Sequence, residues 1–445
     1  MFTFTLLLHH IQLFRLQFRH PTTHEMIPRT LLLRQLEHIV NAVRDVNSTA
    51  PPVGLFTGLP RDAWGQLNTL LRQNSVNSEI FADLEHSLFI LCLDDMAHLP
   101  TSQPTSGPIT LDPRETASAA NLLHGNLTNS GNRWFDKTLQ FIISRDGSMG
   151  VNFEHTPSDA GAFVPITSDV YTAFDDLVTD ASGSLPHFAF PKELDWIPFP
   201  NMTEEIAVAY DSLKQLIASV QIEYGMFRQF GSSGLKPFKV SPDAFVQVAL
   251  QLTYARLHPD LPPPPTYESG SLRRFHLGRT DTIRSCSQAT VQFTQSMRDN
   301  HSKLQERAEL LRVALQRHQD FTRNLIAGHA FDRHLFGLRQ ISITSQISGE
   351  DTQEITNFFT DPTYTSSLCY RLSTSQVRAP NDVSVLFGPV DSNGYGVCYN
   401  IHRDAIQISA SAFRSSNQTT HPSEFLTHFA HALSDMYGLL KAHTV

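Results

Sequence analysis

Cysteine is scarce in this sequence. Four cysteines, Cys92, Cys286, Cys369 and Cys398, occur among 445 residues, and no two of them form a Cys-x-x-Cys pair. Disulfide scaffolds carry many more cysteines and keep them close together, and redox motifs pair them. The sequence therefore predicts a protein of a reducing, intracellular compartment.

Long apolar runs are also missing. The apolar residues 1–8 are too short to cross a bilayer and lack the basic region and cleavage site of a signal peptide. Residues 442–445 are not a peroxisomal address of the Ser-Lys-Leu type. We expect a soluble protein without a transmembrane segment, and no recognisable targeting signal chooses between cytoplasm, mitochondrion and peroxisome.

An excess of positive charge is absent as well. The chain has 34 Lys and Arg against 43 Asp and Glu, a formal net charge of -9, and no polybasic block. Proteins that bind nucleic acids usually carry a basic patch or stripe. The charge balance therefore argues against nucleic acid as the main partner.

Several motifs for catalysis, nucleotides and metals do not occur. There is no Gly-x-Ser-x-Gly elbow, no Gly-x-x-x-x-Gly-Lys-Ser/Thr loop and no His-Glu-x-x-His. His9 and His10 are adjacent and His329 and His334 lie close together, but neither pair has thiolates or carboxylates at metal-ligand spacing. We predict no metal site.

Length and proline content predict the domain organisation. A chain of 445 residues suits two or three domains of about 150 residues each. Prolines crowd into residues 185–202, which favours a boundary there. We predict an N-terminal domain of residues 1–200 and a C-terminal domain of residues 201–445.

Local patterns predict three further features. Residues 100–131 are rich in Thr, Ser, Pro, Gly and Asn and favour a surface loop. Asp146-Gly147 separates two strand-like runs, which predicts a hairpin whose second strand ends at His155. Ser241-Pro-Asp243 predicts the start of a helix.

His155 is the first candidate for chemistry. A histidine with a pKa near its ordinary value of about 6.5 can accept a proton from a hydroxyl or a thiol at physiological pH. Asp159, four residues further on, can fix the local turn through an ion pair. The chain has 21 histidines, so an ordinary core or surface residue is an alternative that the local pattern leaves open.

Ser373-Thr-Ser375 is a candidate oxyanion donor. Short hydroxyl side chains can point at an oxygen on which negative charge develops. A solvated strand edge is the alternative reading of the same three residues.

A series of short motifs also runs along the chain in a fixed order. They are Asn132-Arg-Trp-Phe-Asp-Lys137, Glu154-His155, Ser241-Pro-Asp-Ala-Phe245, Gln251-Leu252, Thr266-Tyr-Glu268, Gly278-Arg-Thr-Asp-Thr-Ile-Arg-Ser285, Phe331-Asp-Arg-His334, Leu372-Ser-Thr-Ser375 and Asn393-Gly-Tyr-Gly396. In these motifs the sequence resembles the carnitine/choline acyltransferase family. The resemblance implies an α/β fold of two chloramphenicol-acetyltransferase-like domains, with the active site in a tunnel between them. It implies reversible acyl transfer between coenzyme A and a quaternary-ammonium alcohol, as in fatty acid metabolism.

The resemblance assigns the chemistry to His155 and Ser375. His155 matches a catalytic base that takes the proton from the carnitine hydroxyl, or from the coenzyme A thiol in the reverse direction, without an acyl-enzyme. Ser375 matches a serine that stabilises the tetrahedral oxyanion. Asp159 and Arg279 match an acid and an arginine that pair and hold the histidine's loop.

The choice of alcohol follows from charge. Carnitine has a carboxylate that choline lacks, and the planar fork of arginine suits a carboxylate. Arg333 falls where carnitine enzymes have arginine and choline enzymes have asparagine, and Thr280 fits the carnitine pattern. Tyr267 and Ser373 match residues that contact the carboxylate. Phe387 matches an aromatic beside the trimethylammonium group, although a core phenylalanine is an equal alternative on the residues alone.

Coenzyme A is expected to bind as a co-substrate, and no other cofactor is implied. Lys236, Lys239 and Asp243 fall in the segment that binds its nucleotide end. Ser232 stands where many members have a second lysine for the 3′-phosphate, so one charge directed at that phosphate is lost.

Val385 falls at the floor of the acyl pocket. Short-chain carnitine enzymes have methionine there and longer-chain members have glycine, and valine is intermediate in volume. The surroundings of His155 are most similar to the medium-chain, octanoyl-type branch. We predict a preference for short to medium acyl groups.

Family members carry a long block before the strand that begins near Ile11 in this chain, so the resemblance implies an N-terminally incomplete sequence. That block supplies packing partners and part of the substrate tunnel. We therefore hold two alternatives beside an active carnitine acyltransferase. One is a truncated, catalytically inactive paralogue or fragment, and the less favoured one is a choline acetyltransferase.

Overall fold

The computed structural model describes residues 3–43, 50–97, 99–173, 191–347, 353–379, 383–414 and 420–443. The chain divides into two compact units. The first unit is Met1–Pro100 with Ala117–Ala218, and the second is Thr101–Thr116 with Ser219–Val445. Each unit combines helices with a mixed β-sheet, which confirms the predicted α/β class and two-unit organisation.

The strands of the described ranges are, in chain order, β1 (Phe4–His9), β2 (Gln12–Gln17), β3 (Ile90–Asp94), β4 (Thr110–Leu111), β5 (Leu139–Ser144), β6 (Met149–Phe153), β7 (Lys192–Leu194), β8 (Val220–Phe227), β9 (Thr266–Ser271), β10 (Thr280–Ile283), β11 (Leu372–Gln376), β12 (Tyr395–Ile401) and β13 (Ile406–Phe413).

The α-helices of the same ranges are α1 (Arg29–Ala42), α2 (Arg61–Leu71), α3 (Ser75–His86), α4 (Pro113–His124), α5 (Ala160–Thr172), α6 (Met202–Ser219), α7 (Ser232–Leu235), α8 (Pro242–Leu257), α9 (Gln288–Arg298), α10 (Leu304–Ile326), α11 (Asp332–Ile347), α12 (Gln353–Thr360), α13 (Pro362–Ser367) and α14 (Pro422–Ala442). Among these helices, none is both long enough and apolar enough to cross a bilayer.

The first unit is built on a sheet with the strand order β6-β5-β3-β1-β2-β7. β5, β3 and β1 run parallel, and the outer strands are antiparallel. Every residue of β1 is buried, as expected for a strand covered on both faces. Leu6 and Leu8 pack in one core with Trp64, whereas Leu7 packs on the opposite face with Ile39.

The second unit is built on a sheet with the strand order β10-β9-β11-β12-β13-β8-β4. β9, β11 and β12 run parallel, and the other pairs are antiparallel. Helix α8 is buried continuously from Ala244 to Tyr254, so the rest of the unit covers it on every side. It lies in the main core of this unit with α14 and the inner strands.

The predicted hairpin and the predicted helix start are both confirmed. β5 and β6 pair antiparallel, and Gly147 between them has φ of +83°, a conformation that glycine adopts without strain. The Ser241 side chain accepts a hydrogen bond from the amide of Ala244 and caps α8, with Pro242 at the first helical position.

The loop predicted for residues 100–131 is wrong. This segment contains β4, which pairs with β8, and the helix α4. The side chain of Asp112 accepts hydrogen bonds from the amides of Arg114 at 2.9 Å and Glu115 at 3.1 Å, which satisfies the first turn of α4. A polar composition concealed a capped helix and an edge strand.

The units divide between residues 218 and 219, later than the domain boundary predicted at residue 200. The physical reason is the packing of α6. Its residues Met202, Ala209 and Leu213 are buried in the core of the first unit, with Trp64. The assignment of functional domains to residues 1–200 and 201–445 stays a prediction.

Candidate active site

His155 follows β6 in the first unit. Its Nδ1 lies 3.7 Å from Oδ1 of Asp159, and 64% of its side chain is exposed. The turn is also held by Glu154, whose carboxylate accepts hydrogen bonds from the amide of Thr156 at 3.0 and 3.1 Å. The turn after β6 thus places His155 at the surface of the first unit, with Nδ1 on the side of Asp159.

The motif at residues 132–137 anchors the hairpin that carries His155. Arg133 donates from Nη1 and Nη2 to the two carboxylate oxygens of Asp94, at 2.9 and 2.7 Å. Asn132 donates to the same carboxylate at 2.9 Å. Lys137 donates to the carbonyl of Ser87 at 2.6 Å, and burial lowers the pKa of Lys137 to about 8. These charged residues therefore tie β5 to its neighbours rather than point to a substrate.

In the second unit, Ser373, Thr374 and Ser375 lie on β11. The Thr374 hydroxyl bonds to Gln247 in the helix α8. Because successive side chains of a strand point to opposite faces, Ser373 and Ser375 lie on the face away from α8. Ser373 is buried and stands opposite Tyr267 in the parallel register of β11 and β9.

Phe387 lies on this same part of the sheet. Gly396 is the β12 partner of Ser373, and a Cβ atom added to Gly396 would lie 3.1 Å from the Phe387 ring. The Ser411 hydroxyl fixes the backbone there by donating to the carbonyl of Phe387 at 2.7 Å. The structure thus brings together three of the predicted carnitine residues, Ser373, Tyr267 and Phe387.

Arg333 and Thr280 form a second group. Arg333 lies in the first turn of α11, and its Nε donates to the carbonyl of Thr280 at 3.1 Å. Its backbone amide donates to Asp281 at 3.2 Å. In the antiparallel register Thr280 stands opposite Ser271, at the other end of β9 from Tyr267. Arg279 precedes β10, and its carbonyl accepts from the amide of Leu272 at 2.9 Å.

The predicted coenzyme A residues surround the start of α8. Lys236 and Lys239 are exposed on the short 3-10 turn Lys236–Phe238 and just after it, and Asp243 lies in the first turn of α8. Lys239 has φ of +57°, a left-handed conformation that ends the turn. Ser232 begins α7, which precedes this turn. Asp243 accepts a hydrogen bond from the Tyr399 hydroxyl at 2.6 Å.

A buried acid and histidine lie close to Asp243, and they have no assigned role in the sequence analysis. Nε2 of His318 lies 2.6 Å from Oε2 of Glu268, and Ser285 donates to the same oxygen. Burial disfavours a charged imidazole, but the Glu268 carboxylate outweighs burial and raises the pKa of His318. The sequence offered only one signal for this pair, a glutamate in the Thr266-Tyr-Glu268 motif.

Ligand atoms of Asp243, Glu268 and His318 lie within 4.8 Å of one another, which is close enough to consider a metal ion. A metal ion bound at about 2.0–2.2 Å by both Glu268 and His318 would hold the two atoms farther apart than the 2.6 Å observed. A shared proton fits that distance, so the geometry favours a hydrogen-bonded ion pair.

Val385 lies beside a small cavity in the second unit. Its carbonyl accepts a hydrogen bond from Ser409 at 2.7 Å. The cavity measures about 10 Å³, and its walls include Cys398 and Tyr399. That volume is close to one water molecule. An acyl chain entering there therefore requires these side chains to move.

Comparison with known proteins gives one family. A family model described as choline/carnitine O-acyltransferase matches residues 3–434. Carnitine O-acetyltransferase of Homo sapiens is 38% identical over 440 residues, which cover 98% of this chain and 66% of that protein. Choline O-acetyltransferase of Mus musculus is 35% identical over 417 residues, which cover 92% of this chain and 61% of that protein. The chain thus spans less than two thirds of the length of these relatives.

Among solved structures, a wax ester synthase/diacylglycerol acyltransferase from Marinobacter aquaeolei VT8 is similar over 79% of each chain, with 12% identity and a TM-score of 0.34. A similarity at that TM-score supports no conclusion about this protein.

Proposed function

Because the chain belongs to the choline/carnitine O-acyltransferase family, we propose that it transfers acyl groups reversibly between coenzyme A and the hydroxyl of carnitine. The choice of carnitine as the alcohol rests on three residues that lie together on one face of the second sheet. Ser373 stands opposite Tyr267, and the Phe387 ring lies against the glycine on the other side of Ser373. Hydroxyl donors for a carboxylate and an aromatic ring for a trimethylammonium group suit carnitine.

His155 acts as the general base. Its Nδ1 is held near Asp159, so Nε2 takes the proton from the carnitine hydroxyl as the oxygen attacks the thioester carbonyl. The Ser375 hydroxyl donates to the oxyanion of the tetrahedral intermediate, where a hydrogen bond strengthens as charge develops. Collapse of the intermediate expels the coenzyme A thiolate, which receives the proton from His155.

Arg333 supplies the positive charge for the carnitine carboxylate. Its Nε donates to the carbonyl of Thr280, which orients the guanidinium, and its Nη groups are the proposed donors to the carboxylate. Phe387 contacts the trimethylammonium group through a cation-π interaction of about 0.5–2 kcal/mol.

Coenzyme A binds at the start of α8. The exposed Lys236 and Lys239 attract its phosphates, and Asp243 accepts hydrogen bonds from its polar groups. Ser232 supplies no charge, so we expect weaker binding of the 3′-phosphate than in relatives with a second lysine.

Short to medium acyl groups are the proposed acyl donors. Val385 limits the space at its cavity more than glycine and less than methionine would. The small volume there and the identity to carnitine O-acetyltransferases favour acetyl, and the residues around His155 favour octanoyl.

The four cysteines support an intracellular site of action. All are free thiols, Cys92 and Cys398 buried and Cys369 exposed, and burial raises the pKa of Cys92 to about 12. Free thiols of this kind persist in reducing compartments.

The first test is acyl transfer by the purified chain. We expect transfer of acetyl or octanoyl groups from coenzyme A to carnitine, and loss of roughly 100- to 10,000-fold in kcat for His155→Ala. His86→Ala is the matched control, because His86 is also exposed in the first unit but contacts only the carbonyl of Ala82 among the bonds described. Equal activity of His155→Ala and the unaltered protein would exclude this mechanism.

Two alternatives are outcomes of the same assay. A folded, monodisperse chain that transfers no acyl group at all would favour a truncated, inactive member of the family. A higher kcat/KM for choline than for carnitine would favour a choline acetyltransferase, for which the 35% identity to the Mus musculus enzyme is the supporting observation.

A further inference from the structure

A continuous chain of hydrogen bonds crosses the core of the second unit. The Tyr399 hydroxyl donates to Asp243 at 2.6 Å, and Gln247 donates from Nε2 to Tyr399 at 2.9 Å. Gln247 also donates to the Thr374 hydroxyl at 3.0 Å, and Thr374 donates to the carbonyl of Tyr267 at 3.0 Å. These bonds connect the first turn of α8 with the strands β11 and β9.

The middle of this chain is shielded from water. Gln247, Tyr399 and Thr374 are exposed by 0%, 2% and 1%. Burial, together with the negative charges of Asp243 and Glu268, raises the pKa of Tyr399 well above its ordinary value, so its hydroxyl keeps the proton that it donates. Because these side chains are shielded from solvent, removal of one member deprives its neighbours of a hydrogen bond in a buried site.

The hydrogen atoms in the chain have one consistent order. The carboxylate of Asp243 and the carbonyl of Tyr267 can only accept, so both hydroxyls must donate outward, to these two ends. Each hydroxyl oxygen then presents a lone pair to Gln247. The two hydrogens of the Gln247 amide nitrogen donate one hydrogen bond to each hydroxyl. The opposite orientation of the amide would place its oxygen against Tyr399 and Thr374 and would withdraw donors from both ends. The cost is that Oε1 of Gln247 has no partner among the described residues.

The two ends of the chain belong to residues proposed for different substrates. Asp243 lies with Lys236 and Lys239 at the proposed coenzyme A site. Thr374 lies between Ser373 and Ser375, and Tyr267 lies opposite Ser373. The side chain of Thr374 faces α8 while its two serine neighbours face the other side, so the network reaches the proposed carnitine face through the sheet.

We propose that Tyr399, Gln247 and Thr374 are positioning residues that couple the coenzyme A end of α8 to the carnitine-binding strands. The inference rests on the proposed function and adds cooperativity between the two substrates. A ligand on Asp243 fixes the carboxylate and, through the ordered bonds, the backbone of Tyr267 and β11. The second substrate then meets strands that are already ordered, so it binds more tightly, and the effect is reciprocal.

Calorimetric titration tests this coupling without turnover, because free coenzyme A and carnitine carry no acyl group to transfer. We expect saturating coenzyme A to lower the Kd of carnitine by roughly 5-fold or more in the unaltered protein. In Tyr399→Phe the ratio of the carnitine Kd without coenzyme A to the Kd with it should fall to about one. The phenyl ring keeps the packing but loses both hydrogen bonds of the hydroxyl. Tyr395→Phe is the matched control. Tyr395 is a buried tyrosine of the same strand, and its hydroxyl lies 3.2 Å from Nε2 of His258. Neither residue belongs to the hydrogen-bond network, so this variant should keep the coupling.

A second pair of variants guards against loss of folding in Tyr399→Phe. Thr374→Val should abolish the coupling and Thr374→Ser should restore it, since serine keeps the hydroxyl. A merely structural role would lower the thermal stability and leave the ratio of carnitine affinities unchanged.

The outcomes separate this inference from the proposed function. Binding of both ligands without coupling, or coupling that survives in Tyr399→Phe and Thr374→Val, overturns the inference and leaves the proposed function standing. Failure of the unaltered protein to bind either ligand overturns both.

Discussion

Arg133 and Asp94 form a bidentate ion pair inside the first unit. The guanidinium donates to both carboxylate oxygens, at 2.9 and 2.7 Å, and the two side chains are exposed by 0% and 1%. The pair joins the end of β3 to the segment that leads into β5, two strands away from the turn of His155 in the chain. The hairpin that carries the proposed base is therefore anchored by a pair buried inside the first unit.

Arg133→Met should destabilise the protein strongly. The methionine fills much of the volume but leaves the Asp94 carboxylate buried without its cation, and loss of one partner of a buried pair costs about 3–5 kcal/mol. Chemical denaturation gives the free energy of unfolding. Asp320→Asn is the control, because the Arg323–Asp320 pair is 71% and 42% exposed and should contribute less than about 1 kcal/mol. Similar losses in the two variants would contradict the role given to Arg133.

The ion pair of His318 and Glu268 should make stability depend on pH. The pKa of His318 is raised in the folded state above its unfolded value of about 6.5. Its stabilising contribution is therefore fully present below pH of about 6.5 and is lost as the pH rises through the raised folded pKa. Asp243 and Glu268 both face this ring.

Denaturation of the unaltered protein and of His318→Gln from pH 5.5 to pH 9 measures this effect. We expect the largest stability difference at the acidic end and a smaller one at the alkaline end. A difference that stays constant over the whole range would show that folding does not raise the pKa of His318.

Arg333→Asn should change the choice of alcohol. The variant removes the charge proposed for the carnitine carboxylate, and a hydrogen bond to a charged group contributes about 1.5–3 kcal/mol, or roughly 10- to 100-fold. We expect kcat/KM for carnitine to fall by that factor while kcat/KM for choline stays level or rises. Arg339→Asn, an exposed arginine of the same helix, should change neither value. Equal losses for both alcohols would argue against a contact with the carboxylate.

Substitutions at Val385 should shift the acyl preference in opposite directions. Val385→Gly enlarges the cavity beside Cys398 and Tyr399 and should raise the octanoyl-to-acetyl ratio of kcat/KM, whereas Val385→Met should lower it. Val390→Gly is a control for loss of a valine in the same segment, because Val390 is 61% exposed. Turnover across a series of acyl-CoAs is the measurement. A shift in the same direction for both variants would place the acyl chain elsewhere.

Features that depend on neighbouring residues could be predicted from the sequence. The cap at Ser241 and the turn at Asp146-Gly147 each need only a few adjacent residues, and both are present. Strand β4 could not be predicted, because it has two residues and exists only through its pairing with Met226 and Gly225 of a distant strand. Pairing across such a separation leaves no local pattern.

The residues of the candidate site likewise differ in how far the sequence could predict them. The resemblance identified Ser373, Tyr267 and Phe387, and the register of β9, β11 and β12 places them together. The link between Asp243 and Tyr399 was not predictable, since two polar residues far apart in the sequence meet only when α8 packs on the sheet. The role of Val385 in an acyl pocket stays a prediction, and the volume of the cavity beside it depends on the surrounding strands.

Strand β4 has a consequence for how this protein can be divided. It comes from Thr101–Thr116, a segment that interrupts the sequence of the first unit but forms the edge of the second sheet. Gly225 of β8 lies so close to it that an added Cβ atom would be 2.9 Å from the Ile109 side chain. A gene fragment starting at Ser219 would therefore produce a sheet whose outer strand has lost its cover, open to pairing with another molecule. Neither unit is therefore encoded by one continuous stretch of the gene. During synthesis, a strand of the second unit is translated before the sequence of the first unit is complete.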